Sequence, residues 1–176
     1  MIKINDSLYY RKIEKPDLVH RVNWINNPKI NATLTFRTPV SHSSTEKWFE
    51  VTSSDSSKLN LTFFVKLGED YIPLGFGGFI SIDSFNQRAE IFITIGNLEY
   101  QGKGFGIQIV NFLTGFGFNE LNLSKIYLTT LKHNVKAKNL YEKCGFKTDG
   151  VLREHFFHKG KFIDCFHMSI LRKDVE

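Results

Sequence analysis

The chain has 176 residues, 41% of them hydrophobic, with 17 phenylalanines and a formal net charge of +5, a length suited to one domain around one core. It has no run of about 18 apolar residues and no apolar stretch behind Met1-Ile2-Lys3, which argues against a membrane span or a secretory leader and for a cytoplasmic protein. Cys144 and Cys165 have neither disulfide nor metal-ligand spacing, so reduced thiols and no metal are expected, and the modest, dispersed positive charge suits an anionic small ligand without requiring nucleic acid.

Leu8 to Ile13 reads as a first strand. Pro16 suits the first turn of a helix running to about Asn26, which Pro28 should end. Ser43 and Glu46 have capping-box spacing and predict a second helix through Trp48 and Phe49, followed by the serine-rich loop 52–57. Leu61 to Leu67 and Leu74 to Ile82 form a predicted antiparallel pair joined through Gly68-Glu69-Asp70. Ala89 to Ile95 is the next strand. A glycine-rich turn follows, then a helix to about Asn119 with Ile109, Val110, Leu113 and Phe116 on its apolar face. Lys125 to Leu131 reads as a strand, and strand-helix-strand order requires a crossover, so it should lie parallel to the strand at Ala89. From Asn134 to Cys144 a short helix places Ala137, Leu140, Tyr141 and Cys144 on one stripe, with Gly145 ending it. Two last strands, 151–158 and 162–171, flank a turn at Lys159-Gly160. No repeat, low-complexity segment or linker interrupts the chain, so residues 1–176 are read as one domain.

The turn Gln101-Gly102-Lys103-Gly104-Phe105-Gly106 lies between a strand and a helix. Backbone N–H groups at the positive end of a helix dipole form an anion cradle there, and glycines let a phosphate approach the main chain. The spacing fits neither a dinucleotide fingerprint nor a P-loop. On position alone Tyr141 is a core aromatic, Asn134 an N-cap, and Glu90 an ordinary strand carboxylate on the face of Phe92 and Thr94.

Taken together, Gln101-x-x-Gly104-x-Gly106 and Asn134-x-x-Ala137-x-x-x-Tyr141, continued by Leu140-Tyr141-Glu142-Lys143-Cys144-Gly145-Phe146, resemble the GNAT superfamily of acyl-CoA-dependent N-acetyltransferases. The resemblance runs from about Leu8 to about Leu171. It implies an α/β fold of the α+β type: a single domain with a mixed, mostly antiparallel twisted sheet whose central parallel strand pair is flanked by helices. It also implies acetyl-CoA as co-substrate, its pyrophosphate over Gln101, Gly102, Lys103, Gly104, Phe105 and Gly106, its pantetheine against the main chain from Thr94 through Ile95 and Gly96 to Asn97, and a further contact from Asn134. Tyr141 becomes the acid that protonates the leaving thiolate, because a phenol is still protonated at neutral pH.

Glu90 resembles a glutamate found in relatives of the ribosomal-protein type and is the candidate base, with Asp83, His133, Asp164 or a water chain as rivals. Ile95-Gly96-Asn97-Leu98-Glu99-Tyr100-Gln101-Gly102-Lys103-Gly104 is similar to the branch holding ribosomal-protein serine/alanine, spermidine and amino-sugar acetyltransferases. The acceptor segment is placed between Trp24 and Trp48, with Trp24 and Arg37 as substrate-binding candidates. The expected acceptor is a small-molecule amine such as an amino sugar or nucleotide amino sugar. A protein N-terminus or a polyamine is the alternative, the polyamine ranked low because a basic chain repels it. No nucleic-acid or membrane partner is expected, and a homodimer is allowed for. From another class, a CoA-responsive or nucleic-acid-associated module without turnover is the rival function.

Overall fold

The computed structural model describes residues 1–158 and 160–175. In chain order, β1 (Ile2–Lys3) and β2 (Leu8–Lys12) lead through a short 3-10 turn at Lys15–Asp17 into α1 (Leu18–Asn26), α2 (Pro28–Asn31) and α3 (His42–Ser53). The strands β3 (Leu59–Leu67), β4 (Asp70–Asp83) and β5 (Arg88–Ile95) precede α4 (Phe105–Asn119), β6 (Lys125–Leu131) and α5 (Val135–Lys143). The chain closes with β7 (Lys147–His158) and β8 (Lys161–Leu171).

Among the described residues these strands make an 8-stranded sheet of order β1-β2-β3-β4-β5-β6-β8-β7. Every pairing is antiparallel except β5 with β6. The expected fold class, a mixed sheet with a central parallel pair flanked by helices, is therefore what the chain forms.

Alternation along β5 divides the molecule. Ala89 and Ile91 are buried with Ile109, Val110 and Leu113 of α4, and Ile126 and Leu128 of β6 join the same core. The intervening residues Glu90, Phe92 and Thr94 face the other side, as period-two geometry requires. Over that side lie α1 and α3.

Several local expectations shift. Pro28 does not simply end α1; it opens α2 behind Asn27, whose side chain accepts from the Lys29 N–H at 3.0 Å. The α3 cap is Ser41 with Ser44, not Ser43 with Glu46: Ser41 Oγ accepts from the Ser44 N–H at 3.1 Å and Ser44 Oγ from the Ser41 N–H at 3.0 Å. The nearby serines all suit a cap, and the one left in extended conformation before His42 takes the role. Strands β4 and β7 each start four residues earlier than 74 and 151, because their partners β3 and β8 extend to meet them. Lys159, of the predicted Lys159-Gly160 turn, lies outside the described residues.

Candidate active site

Strands β5 and β6 pair only at Arg88↔Lys125, Ala89↔Ile126 and Glu90↔Tyr127. Beyond Glu90 they part, while β5 stays paired to β4 as far as Ile95↔Gly75 and β6 to β8 as far as Leu131↔Cys165. An opening forms in the middle of the sheet. At its closed end the Glu90 carboxylate, half-buried, accepts a hydrogen bond from Thr129 Oγ1 at 3.0 Å.

The glycine turn stands at the open end of β5. Gly102 and Gly104 have φ of 77° and 85°, a backbone region that side chains with a Cβ rarely adopt, and open space lies where a Cβ would be. Gly104 is the N-cap of α4, so the first-turn N–H groups of Phe105, Gly106 and Ile107 have no acceptor within the helix. With Lys103 exposed beside them, its ammonium 5.1 Å from the Tyr100 ring, these donors fit an exposed pyrophosphate. Gln101 Nε2 donates to the Ile95 carbonyl at 2.8 Å and ties the turn to the strand end, and Phe105 packs edge-on against Tyr100.

Two glycines have other work. A Cβ on Gly106 would come within 2.6 Å of Leu140 Cδ1, so this residue is small to let α5 close on α4. A Cβ on Gly96 would meet Trp24 Cδ2 at 2.0 Å. The Gly96 and Asn97 N–H groups both donate to the Leu74 carbonyl at 3.0 Å, and Gln101 donates to the Ile95 carbonyl.

On α5, Asn134 caps the helix by accepting from the Ala137 N–H at 3.2 Å. Tyr141 is buried at 7% exposure, its ring 5.9 Å from Phe146, and among the described residues its hydroxyl makes no hydrogen bond to protein. Burial, followed by the charges of Cys144 and Glu90, pushes its phenol far above the ordinary range, so it stays protonated and able to donate. Cys144 and Cys165 are likewise raised by burial, Cys165 to about 11, which leaves neither thiol primed as a nucleophile. The rival bases are ion-paired or distant: Asp83 with Arg88, Asp164 with Lys132, and His133 against the Ala32 carbonyl.

Trp24 is half-buried, stacked between His20 at 5.6 Å and Phe76 at 6.2 Å. Arg37 is exposed on the connection between α2 and α3. The cation that the structure buries on this face is Arg21, which the sequence does not single out. At 7% exposure its guanidinium lies 3.9 Å from the Trp48 ring, 4.8 Å from Phe76 and 5.1 Å from Phe36, and its Nε and Nη1 have no hydrogen-bond partner. Desolvation lowers its pKa to about 10. An unpaired buried charge costs several kcal/mol, which three ring contacts of about 0.5–2 kcal/mol each offset only in part.

A family model described as an acetyltransferase (GNAT) domain matches residues 7–147. The chain belongs to this family. It is an acetyl-CoA-dependent N-acetyltransferase, with acetyl-CoA as co-substrate. It is 34% identical over 172 residues to the spermidine N(1)-acetyltransferase of Vibrio cholerae, covering 96% of this chain and 95% of that one. A crystal structure of the Vibrio cholerae spermidine N-acetyltransferase in complex with CoA and spermine superposes with a TM-score of 0.86 at 33% identity, over 97% of this chain and 98% of that one. A dodecameric structure of that enzyme in an intermediate state gives a TM-score of 0.82 at 32% identity, over 97% of each chain. Among the described residues of this GNAT protein, no helix is long and apolar enough to cross a membrane.

Proposed function

We propose that residues 1–176 form one domain that moves the acetyl group of acetyl-CoA to the primary amine of a small molecule by direct attack in a ternary complex. The observation that carries this reading is the parting of β5 and β6 immediately after Glu90, with the glycine cradle at the far end of β5 and the buried Tyr141 phenol within reach of the Glu90 charge. Glu90, directly or through a water, takes a proton from the incoming ammonium. The amine nitrogen bonds to the carbonyl carbon as the carbon–sulfur bond breaks, Tyr141 gives its proton to the departing sulfur, and the second proton shed by the acylated nitrogen returns through water to the Tyr141 phenolate, leaving the amide and the CoA thiol.

Polyamines are the acceptor class that the relatives favour, and they displace the amino sugar as the first to test, because full-length relatedness outweighs a net charge averaged over the whole surface. The lining of this chain keeps a second reading in view. No Asp or Glu occurs between Asp17 and Glu46, a stretch holding Arg21, Lys29 and Arg37, which favours an acceptor whose body is neutral or anionic. Spermidine, spermine, amino sugars, a nucleotide amino sugar and N-terminal peptides assayed for CoA release rank the classes. No release with any amine overturns the proposal.

Homo-oligomeric assembly is proposed from the dodecameric relative, and light scattering on the eluted protein tests it. We place the protein in the cytoplasm, where acetyl-CoA is made available to such enzymes.

A further inference from the structure

We propose that Arg21 is an anion-recognition residue of the acceptor pocket, taking a carboxylate or phosphate group on the body of the acceptor. The proposal rests on reading the face of the sheet beneath α1 and α3 as the acceptor side.

The guanidinium is built into the fold rather than laid on it. It is 7% exposed, walled by Trp48, Phe76 and Phe36, and its Nε and Nη1 point to no acceptor. Elsewhere the chain pairs its buried charge. Asp17, at the head of the same helix, receives Arg11 Nη1 and Nη2 at 2.8 Å each, the Thr62 hydroxyl at 3.0 Å and the Glu14 N–H at 2.9 Å, so it has nothing left for Arg21. No other carboxylate follows along the chain until Glu46. An unpaired guanidinium with unused N–H donors suits a carboxylate or phosphate oxygen, and a lysine would not present its donors in the same planar arrangement.

The position suits an acceptor. Arg21, Trp48, Asn60, Phe76 and Phe92 line a cavity of about 10 Å³, room for about one water. Phe92 is the next residue after Glu90 on that face of β5, about 7 Å along the strand. An acceptor with its amine at Glu90 would pass Phe92 to reach Arg21, with aromatic walls for its apolar or ring portion. Entry requires one ring to swing aside. Phe36 is the one on a connecting loop, held there through its carbonyl by Asn31 Nδ2 at 3.4 Å.

The test uses the full chain saturated with acetyl-CoA, so that the cradle at Gly104 is already filled. Inorganic phosphate and acetate are titrated by calorimetry at constant ionic strength into wild type, Arg21→Met and Arg21→Lys. Saturable binding weakened roughly tenfold or more in both variants is expected. No binding to wild type, or equal binding to the variants, overturns the proposal. Arg21→Lys keeps the charge, so the comparison stands even where Arg21→Met fails to fold.

Kinetics supply the second arm. For the pair glucosamine and glucosamine 6-phosphate, wild type should prefer the phosphate by roughly tenfold or more in kcat/KM, and Arg21→Lys should erase the preference through KM. Efficient spermidine acetylation undiminished in Arg21→Lys overturns the anion site while leaving the acetyltransferase reading intact. Absence of turnover with every amine, alongside Arg21-dependent phosphate binding, sinks the amine reading and leaves the anion site standing.

Discussion

Thr129 Oγ1 donates to Glu90 Oε1 across the place where β5 and β6 stop pairing. The bond leaves the carboxylate anchored by one oxygen at the closed end of the opening, with the second oxygen uncommitted to protein among the described residues. A base held in this way meets an amine at a fixed angle.

Glu90→Gln keeps an oxygen for Thr129 and removes the base. We expect kcat/KM at neutral pH to fall by about a hundredfold with acetyl-CoA affinity unchanged, the loss shrinking at high pH where more of the amine is already neutral. Thr129→Val should cost less and act on the same limb of the pH profile. Wild-type kcat/KM in Glu90→Gln at pH 7 would assign proton removal to water.

For Tyr141, the sign of the shift gives a pH prediction. Burial raises its pKa, so the folded state favours the protonated phenol, and the associated stability is complete below the unfolded value of about 10 and is lost as pH rises toward the folded value. Tyr141→Phe keeps the buried ring and should abolish that alkaline loss, seen as a wild-type Tm that falls relative to the variant's above about pH 10. In turnover it should lose roughly a hundredfold or more in kcat with acetyl-CoA binding retained.

At Gly104 the φ of 85° and the open space for a Cβ separate two effects. Gly104→Val meets no packing clash, so the sheet and core survive. The strained turn and the added methyls should then weaken acetyl-CoA binding by roughly tenfold or more, measured by calorimetry. Undiminished affinity in the folded variant would move the cradle elsewhere.

Gly96→Ala tests a packing contact instead. Its Cβ would come within 2.0 Å of Trp24, so the indole must leave its place against β5 and its stack with Phe76. A drop in Tm and a changed tryptophan emission are expected, with KM for the acceptor rising more than KM for acetyl-CoA.

Much of the architecture was legible because the decisive signals are local. A glycine turn needing positive φ, an Asn134 cap and apolar alternation along β5 each depend on neighbours within a few residues, and the parallel pairing of β5 with β6 follows from the helix between them. Arg21 was not legible. One turn of α1 gives it a polar look, and its burial comes from Phe36, Trp48 and Phe76, three rings on separate elements. The roles of Gly96 and Gly106 were hidden for the same reason, since Trp24 and Leu140 reach them across the fold and no spacing rule links those positions. Arg37 was named for its place in the segment between Trp24 and Trp48, and sequence position does not distinguish an exposed cation such as Arg37 from an enclosed one such as Arg21.

The parting of β5 and β6 has a mechanical side. A sheet normally gains strength from its middle, yet here the middle carries only three paired positions, so the two halves of the molecule, β1 to β5 and β6 to β8, share a short seam. A molecule seated along that seam braces both halves at once. Substrate loading and resistance to unfolding are thereby linked through mass action, and the protein should be harder to melt and slower to exchange its central amides whenever the cell is rich in acetyl-CoA.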